Sequence, residues 1–433
     1  MLAAAAVTTR VCVIGGGAAG LSALYHLRQA GLEVTLLERN SFVGGLWKQT
    51  SDNAIYDSLV TNLPKEIMEF STEHPFPPSA RSFLHHSEMW HYLATFAETN
   101  QLPQQIKLNS DVINVSKISG DEGQSKGWEV RYEDTVLNSK HVIRCDAVVV
   151  CNGHFNVPSI PTMTGQQLFK GEIIHSKQYK NPNFCKDKSV LVVGVKSSGT
   201  DIARELKGVA HAVHISDRNY KDQCPLSDDS IVFHSSISHC DEEGRIIISS
   251  GEALEIDTII WCTGYDYDFP FLREIMNGDV TSIDYRSVRP LHKHVFFIPD
   301  PTLSFIGIPH TIIPFPIFYL QSAWVASVYG SLPGAAPLPS ASEMNTERIL
   351  TEAALRESSL GGSYPRNYHY MGQKQFEYMR SLAGQIGLLS TPEKLREFNV
   401  WLQTVNEVYD EVGRSRPKTV GGNDVYRKNV YEI

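Results

Sequence analysis

Two glycine-rich segments, each preceded by a short apolar run, constrain the fold of this chain more than any other feature. Residues 15–20 (Gly-Gly-Gly-Ala-Ala-Gly) follow the apolar run 11–14, and residues 194–199 (Gly-Val-Lys-Ser-Ser-Gly) follow the run 190–193. A continuous apolar run is typical of a buried parallel strand, and a glycine loop that opens a helix is the usual exit from such a strand. The sequence therefore predicts two β-α-β units.

The remaining elements of the two units have similar lengths. In the first unit, a helix is predicted over about residues 18–30 and a second strand over residues 34–37. In the second unit, the helix covers residues 198–206 and the strand covers residues 212–215. We therefore predict an α/β protein with two Rossmann-like dinucleotide-binding domains.

The order of these units along the 433-residue chain indicates that one domain is inserted in the other. We predict a larger domain of residues 1–167 and 287–433, and a smaller domain of residues 168–286. A chain of this length is too long for one small domain. Between the two loops, an apolar stripe in residues 87–98 predicts a packed helix with Ser87 as its N-cap.

The two units end on residues of opposite charge, which predicts a different dinucleotide for each unit. Glu38 follows the second strand of the first unit, whereas Ser216 and Arg218 follow that of the second. A carboxylate at this position accepts hydrogen bonds from ribose hydroxyls and repels a 2′-phosphate, and an arginine attracts that phosphate. The first unit is therefore predicted to bind FAD or NAD and the second NADPH, and a hydride can pass between such a pair.

The second loop departs from the usual glycine pattern. Lys196 stands where the middle glycine normally allows the backbone to approach the phosphates closely. One alternative is a β-α-β turn without a ligand; against it, Ser197, Ser198 and Gly199 can donate hydrogen bonds to phosphate at the start of a helix. The role of Lys196 stays open between a phosphate contact and a displaced coenzyme.

Charge and apolar content limit the partners of the chain. The formal net charge is −9 and no basic stripe offsets it, so we expect no nucleic-acid partner. The short apolar N-terminus lacks a basic region, and the apolar stretch 312–329 is interrupted by Pro314, Pro316 and Gln321. We therefore expect neither a signal peptide nor a membrane anchor.

The cysteines indicate the compartment of the protein, and the histidines give no sign of a metal site. The seven cysteines include no CxxC pair, which favours buried thiols in a reducing compartment. His85, His86 and His91 lack a carboxylate at ligand spacing, so we predict no metal site. A cytoplasmic protein is the expectation.

A longer motif between the two units is typical of a known family. Residues 169–179 (Phe-Lys-Gly-Glu-Ile-Ile-His-Ser-Lys-Gln-Tyr) match the pattern FxGxxxHxxxY. Further segments in that family's order are Gly-Gly-Leu-Trp at 44–47, Tyr-Asp-Ser-Leu-Val-Thr-Asn-Leu-Pro at 56–64, Cys-Thr-Gly-Tyr at 262–265, Phe-Pro-Phe-Leu at 269–272, and Pro-Phe-Pro at 314–316 with Gln321. The chain resembles the flavin-containing monooxygenases, and its second loop is more similar to the plant and lower-eukaryote branch than to the membrane-anchored mammalian one.

This resemblance implies a set of cofactor contacts. FAD would be held in the larger domain by Gly15, Gly16, Gly17, Ala18, Ala19, Gly20, Glu38, Leu46 and Trp47, with Thr61 and Asn62 facing both flavin and nicotinamide. NADPH would be held in the smaller domain by Lys196, Ser197, Ser198, Gly199, Thr200, Asp201, Ser216 and Arg218. Further predicted cofactor contacts are Arg39, Val112, Thr263 and Gln321. Asn62 is the predicted catalytic residue.

The activity that the resemblance implies is an NADPH- and O2-dependent monooxygenation. The family forms a C4a-hydroperoxyflavin that oxygenates a soft nucleophile, the nitrogen of an amine or the sulfur of a sulfide, on a small molecule. No nucleophilic side chain is required for this chemistry. The oligomeric state stays open, with a homodimer as one option, and His175 is expected either to shape the domain connection or, less readily, to take part in chemistry.

Three alternative functions remain at this point. A Baeyer–Villiger monooxygenase shares the layout, but that group has tryptophan where this chain has Tyr179. A flavin disulfide reductase would place a cysteine pair soon after the first unit, and residues 44–50 contain none. A non-catalytic flavoprotein would bind flavin without NADPH-dependent oxygen uptake.

Overall fold

A computed structural model describes residues 8–77, 81–119, 125–218, 230–275, 286–358 and 367–414. The strands are β1 Arg10–Ile14, β2 Glu33–Leu37, β3 Ile106–Lys107, β4 Ser110–Ser119, β5 Ser125–Asp134, β6 Ser139–Cys145, β7 Ala147–Val150, β8 Val157–Pro158, β9 Glu172–His175, β10 Ser189–Val193, β11 Ala212–Ser216, β12 Ile231–His234, β13 Ile237–Cys240, β14 Ile246–Ile248, β15 Ala253–Leu254, β16 Thr258–Trp261, β17 Tyr265–Asp266, β18 Leu291–His292, β19 Phe296–Phe297 and β20 Leu303–Phe305. The helices are α1 Ala18–Gln29, α2 His86–Thr99, α3 Ser197–Leu206, α4 Pro314–Tyr329, α5 Ala341–Glu357, α6 Lys374–Gln385 and α7 Pro392–Arg414.

A seven-stranded sheet organises the larger part of the molecule. Its strand order is β18-β19-β20-β7-β1-β2-β3, and β1 lies between β2 and β7 with both neighbours parallel to it. The strands of its centre are apolar and buried, as the continuous apolar runs predict for a sheet covered on both faces. Helices α1 and α4 pack on the same side of this sheet and contribute to one core, which includes Leu24 and Trp324.

A five-stranded parallel sheet organises the second unit. Its order is β12-β11-β10-β16-β9, and all of its strands lie in the chain between β8 and β18 of the first part. Parallel pairing aligns β10 with β11 and with β16, so the carboxyl ends of these strands meet at one edge. The predicted α/β class with two dinucleotide-binding units is confirmed.

Antiparallel strands cover the flanks of the two sheets. Strands β4, β5 and β6 form a meander beside the first sheet, and β13, β14 and β15 form a smaller one beside the second. A two-stranded pair, β17 with β8, lies where the chain passes between the two units.

Helix α2 begins differently from the prediction. Its N-cap is His85 and not Ser87: the His85 ring accepts a hydrogen bond from the Ser87 backbone N–H, and the Glu88 carboxylate accepts one from the His85 backbone N–H. Imidazole nitrogen replaces the usual hydroxyl or carboxylate oxygen of an N-cap. The sequence preference for serine therefore gave the wrong position.

Gln321 lies inside α4 and is held by hydrogen bonds within the core. Its side chain is fully buried, its Oε1 accepts a hydrogen bond from the Gly307 backbone N–H at 3.0 Å, and its Nε2 donates to the Tyr378 hydroxyl at 2.8 Å. The Tyr378 hydroxyl donates in turn to the Lys293 carbonyl at 2.8 Å. Gln321 thus ties three segments of the core together, and its contact with a cofactor stays a prediction.

Gln321→Leu tests this structural role. The variant leaves the buried Gly307 N–H without its acceptor, and an unsatisfied buried group costs about 1–3 kcal/mol. We expect the free energy of unfolding in urea to fall by about 2 kcal/mol, while the folded holoprotein retains its affinity for flavin. Lost flavin affinity with unchanged stability would contradict the assignment.

Candidate functional site

The turn between β1 and α1 is set by close backbone contacts. Gly15 has a φ of +102°, and a Cβ on it would lie 2.6 Å from the Cys151 carbonyl oxygen. A Cβ on Gly20 would lie 1.8 Å from the Gly15 carbonyl oxygen, so only glycine fits at either position. At Gly17, by contrast, an added Cβ meets only the Gly45 backbone, at 3.6 Å. The space before the N-terminus of α1 is therefore open to a ligand that approaches the backbone closely.

The end of β2 supplies a buried carboxylate to this turn. The Gly16 backbone N–H donates to Glu38 Oε2 at 2.6 Å, and the backbone N–H and side-chain amide of Asn40 both donate to Glu38 Oε1. Glu38 is 4% exposed. This geometry holds a fixed acceptor beside the helix N-terminus, where a ribose of a dinucleotide binds in such folds.

The Gly-Gly-Leu-Trp segment closes over the first loop. The Gly44 backbone N–H donates to the Gly16 carbonyl at 2.8 Å, and the Cα of Gly45 lies opposite Gly17. Leu46 is exposed, whereas Trp47 is partly buried against the core. Glycine is required at 44, because its φ is +103° and a Cβ would lie 2.6 Å from the Trp90 ring. Together the two loops form a cradle whose walls are backbone, which fits the pyrophosphate of FAD.

The second turn repeats this construction. Gly194 has a φ of +103°, and a Cβ on it would lie 2.8 Å from the Cys262 carbonyl oxygen. A Cβ on Gly199 would lie 1.8 Å from the Gly194 carbonyl oxygen, as at the first turn. Lys196 occupies the N-cap of α3 with φ −72° and ψ −176°, where Gly17 has φ −76° and ψ −170°. The lysine therefore takes the same backbone conformation without strain. Its side chain is exposed, so the first turn of α3 keeps the backbone geometry of a helix N-terminus that can bind phosphate.

The strand end of the second unit contains a carboxylate that our sequence analysis missed. The Gly194 backbone N–H donates to the Ser216 carbonyl just as the Gly15 N–H donates to the Leu37 carbonyl. The residue that corresponds to Glu38 is therefore Asp217. The spacing could have revealed it, because Asp217 follows Gly194 by 23 residues, the interval that separates Glu38 from Gly15.

A hydrogen-bonded contact joins the two units at the predicted catalytic residue. The exposed Asn62 side chain donates from Nδ2 to Ser197 Oγ at 3.4 Å. In the same segment of the first unit, the Tyr56 hydroxyl donates to Asp201 Oδ2 at 3.1 Å. Ser197 and Asp201 both lie in the first turns of α3. The structure thus brings Asn62 together with the second nucleotide loop.

The rest of this interface is built by the segment after the FxGxxxHxxxY histidine. Lys180 Nζ donates to the carbonyls of Asn53 and Ile55 at 2.6 and 3.0 Å, and the Asp57 backbone N–H donates to the Lys180 carbonyl. Asn181 Nδ2 donates to Asp57 Oδ2 at 3.1 Å. These bonds hold residues 53–62 against the second unit.

His175 and Tyr179, the histidine and tyrosine of the FxGxxxHxxxY motif, are buried near this interface. The Lys177 backbone N–H donates to His175 Nδ1, so Nε2 carries the proton and donates to the Gly264 carbonyl at 3.0 Å. Burial lowers the pKa of His175 to about 4. The Tyr179 hydroxyl donates to Glu205 Oε2 at 2.6 Å. These hydrogen bonds lie within the second unit, and the Tyr179 ring contacts the Tyr56 ring of the first unit with 5.8 Å between the ring centroids.

The remaining predicted contacts differ in their surroundings. Four hydroxyls are engaged with backbone: Thr61 Oγ1 accepts from the Leu84 N–H, and Thr200, Ser216 and Thr263 donate to the carbonyls of Val195, Ser235 and Ser159. Val112 packs its side chain in the core below the first sheet, beside a register irregularity in β4. Ala18 and Ala19 are buried in the first turn of α1, while Arg39, Ser198 and Arg218 are exposed at the rims of their loops.

Comparison with known proteins assigns the family. The model of the family described as "Flavin-binding monooxygenase-like" matches residues 8–222 and 225–394. The chain belongs to this family. Flavin-containing monooxygenase FMO GS-OX-like 2 of Arabidopsis thaliana is 38% identical over 408 residues, which cover 87% of this chain and 84% of that protein.

Solved structures agree with the family. S-allyl-L-cysteine S-oxygenase from Allium sativum has a TM-score of 0.83 and 32% identity, over 96% of this chain and 95% of that one. Cyclohexanone monooxygenase in its ε-caprolactone-bound form has a TM-score of 0.62 at 14% identity, over 87% and 97% of the chains, which shows a shared fold.

The protein is therefore a flavin monooxygenase, as the motifs predicted. It is an oxidoreductase that uses FAD and NADPH, with O2 and a small molecule bearing nucleophilic nitrogen or sulfur as substrates. Both loops fit these cofactors: the first offers an open backbone cradle and a buried carboxylate, and the second offers a helix N-terminus with two serines. Within the described ranges, no helix is both long and apolar enough to cross a membrane.

Two alanine substitutions in the first loop distinguish residues that bind FAD from residues that the fold requires. Gly17→Ala adds a methyl group in ordinary van der Waals contact with the Gly45 backbone at an allowed φ. We therefore expect unchanged thermal stability of the apoprotein but FAD affinity weaker by about tenfold or more, since the backbone no longer approaches the pyrophosphate closely. Gly20→Ala clashes with the Gly15 carbonyl and should destabilise the fold itself. Wild-type FAD affinity in a flavin titration of Gly17→Ala would show that the cradle is misassigned.

Proposed function

We propose that this enzyme transfers one oxygen atom from O2 to the sulfur of a small thioether, with NADPH as reductant. The supporting observation is the match over nearly the whole chain to the structure of S-allyl-L-cysteine S-oxygenase from Allium sativum. A thioether sulfur is a soft nucleophile and needs no activation by a base. An amine nitrogen is the second candidate within the same chemistry.

The cofactors supply the redox chemistry, and the chain supplies binding and orientation. Bound FAD and NADPH would supply hydride transfer and the activation of O2. We assign Gly15 to Gly20, Glu38 and the segment 44–47 to FAD, with the backbone at Gly17 as the proposed contact of the pyrophosphate. Lys196 and Ser197 to Asp201 are assigned to NADPH, with the phosphates at the N-terminus of α3.

Asn62 is proposed to act at the junction of the two cofactors. Its amide lies within 3.4 Å of Ser197, and it is carried by a segment that several hydrogen bonds fix to the second unit. An amide so placed can donate a hydrogen bond toward the reacting edge of the flavin while the coenzyme stays in place. Its role is to keep water from the reacting atoms until substrate arrives.

The side chains near this junction support oxygen transfer without covalent catalysis by the protein. His175 uses both ring nitrogens in structural hydrogen bonds. Burial raises the pKa of the Cys262 thiol to about 12, so it stays protonated at neutral pH. Neither group can serve as an exposed base or nucleophile.

Two further points of organisation are part of the proposal. The domain limits are residues 1–167 with 287–433, and residues 168–286, supported by the strands of the two sheets, which fall on either side of these limits. A cytoplasmic location is supported by the six described cysteines, which are buried free thiols as expected in a reducing compartment.

A product analysis with competing nucleophiles tests the proposed reaction. FAD-loaded enzyme is supplied with NADPH, air and either S-allyl-L-cysteine or trimethylamine, and products are identified by mass spectrometry. We expect a sulfoxide, with kcat/KM for the thioether at least about tenfold above that for the amine. An N-oxide formed faster than the sulfoxide would move the assignment to nitrogen, and an ester from added cyclohexanone with no sulfoxide would overturn it.

Asn62→Ala tests the protecting role of the amide. We expect NADPH consumption to continue within a few-fold of wild type, while the fraction of NADPH that yields sulfoxide falls by about half or more and hydrogen peroxide rises to match. Ser58→Ala, an exposed change in the same segment, is the control and should leave this fraction unaltered. Unchanged coupling in Asn62→Ala would remove Asn62 from the mechanism.

A further inference from the structure

The strand end of the second unit carries both a carboxylate and a guanidinium where a dinucleotide places its adenosine ribose. Asp217 and Arg218 are consecutive, and Arg218 is exposed. In folds of this kind, a carboxylate here binds the free ribose hydroxyls of NADH, and an arginine nearby binds the 2′-phosphate of NADPH. The two residues therefore favour different coenzymes.

Three backbone and side-chain hydrogen bonds establish that Asp217 occupies the carboxylate position. The Gly194 N–H donates to the Ser216 carbonyl, as the Gly15 N–H does to the Leu37 carbonyl. The Asp217 backbone N–H donates to the His234 carbonyl of the next strand, as the Glu38 N–H does to the Lys107 carbonyl.

The third correspondence involves the carboxylates themselves. Asp217 Oδ2 accepts from the Val195 backbone N–H at 3.3 Å, and Glu38 Oε2 accepts from the Gly16 backbone N–H at 2.6 Å. Val195 and Gly16 are each the second residue of their glycine loop. The carboxylate of Asp217 is therefore aimed along its loop toward the start of α3, as that of Glu38 is aimed toward α1.

We propose that Asp217 binds the ribose hydroxyls of NADH, so that the coenzyme site accepts NADH as well as NADPH. With NADH, the carboxylate accepts hydrogen bonds from the 2′- and 3′-hydroxyls, which are charge-assisted and strong. With NADPH, Arg218 attracts the 2′-phosphate while Asp217 repels it. The inference rests on the proposed assignment of the second unit to the nicotinamide coenzyme.

Calorimetric titration of the FAD-loaded enzyme with NAD+ and NADP+ tests the proposal by binding alone. For the wild type we expect a Kd for NAD+ no more than about tenfold above that for NADP+. Asp217→Asn keeps an oxygen acceptor for the Val195 N–H but loses the charge. The Kd for NAD+ divided by the Kd for NADP+ should therefore rise at least about fivefold. A wild-type preference for NADP+ beyond tenfold, or a smaller change of the ratio in Asp217→Asn, overturns the proposal.

Two control variants distinguish a coenzyme contact from a structural one. Asp257 accepts a hydrogen bond from the Ser189 backbone N–H at the opposite end of β10, so Asp257→Asn removes a similar charge away from the site and should leave the ratio unchanged. Asp217→Ala removes the acceptor as well, and equal weakening of both dinucleotides in it, with no change of ratio in Asp217→Asn, would assign Asp217 to loop structure only. Because the readout is binding, such a failure leaves the oxygenation reaction untouched.

Discussion

Both nucleotide loops depend on one steric condition, the contact between the first and last glycine of each turn. The Cα of Gly20 and that of Gly199 lie so close to the carbonyls of Gly15 and Gly194 that a Cβ would come within 1.8 Å of the oxygen. This contact lets the helix start directly at the carboxyl end of the strand. The free N–H groups of α1 and α3 then face the open edge of each sheet, which is where phosphate binds. Cradle, carboxylate and helix end all follow from this placement.

The second requirement is that the two loops face each other. Oxygen transfer needs flavin and nicotinamide at one place, and the chain achieves this with residues 53–62, which leave the first unit and bond to the second. Tyr56 and Asn62 contact the first turns of α3, and Lys180 fixes the backbone of the same segment. The buried Tyr179 ring of the second unit packs against the Tyr56 ring of the same segment. The FxGxxxHxxxY motif is thus followed directly by Lys180, whose hydrogen bonds reach the first unit.

The sequence predicted the parts of the fold that depend on short-range rules. Apolar runs and glycine loops located β1, α1, β2, β10, α3 and β11 to within a residue or two, and the family motifs predicted the reaction class. The prolines at 314 and 316 begin α4, since the first helical turn needs no N–H from them. Position in the first turn, and not proline content, decides whether the helix forms.

The sequence did not reveal side-chain contacts that depend on distant segments. The motif that contains Gln321 does not show its partners Gly307 and Tyr378, which come from a loop and a helix outside it. His85 caps α2 because Glu88 completes the capping box, which serine preference does not reveal. Asp217 was overlooked because the strand end was interpreted from the positive charge of Arg218. The hydrogen bonds of the strand end show instead that Asp217 corresponds to Glu38.

The enzyme is proposed to use electrons from NADPH to transfer one oxygen atom of O2 to the substrate sulfur. Turnover of S-allyl-L-cysteine with NADPH under isotopically labelled oxygen gas tests it most directly, with the mass of the sulfoxide as the readout. We expect the sulfoxide to carry one labelled oxygen atom per molecule and none that derives from water. A sulfoxide whose oxygen is unlabelled under labelled gas, or is labelled from water, would contradict it.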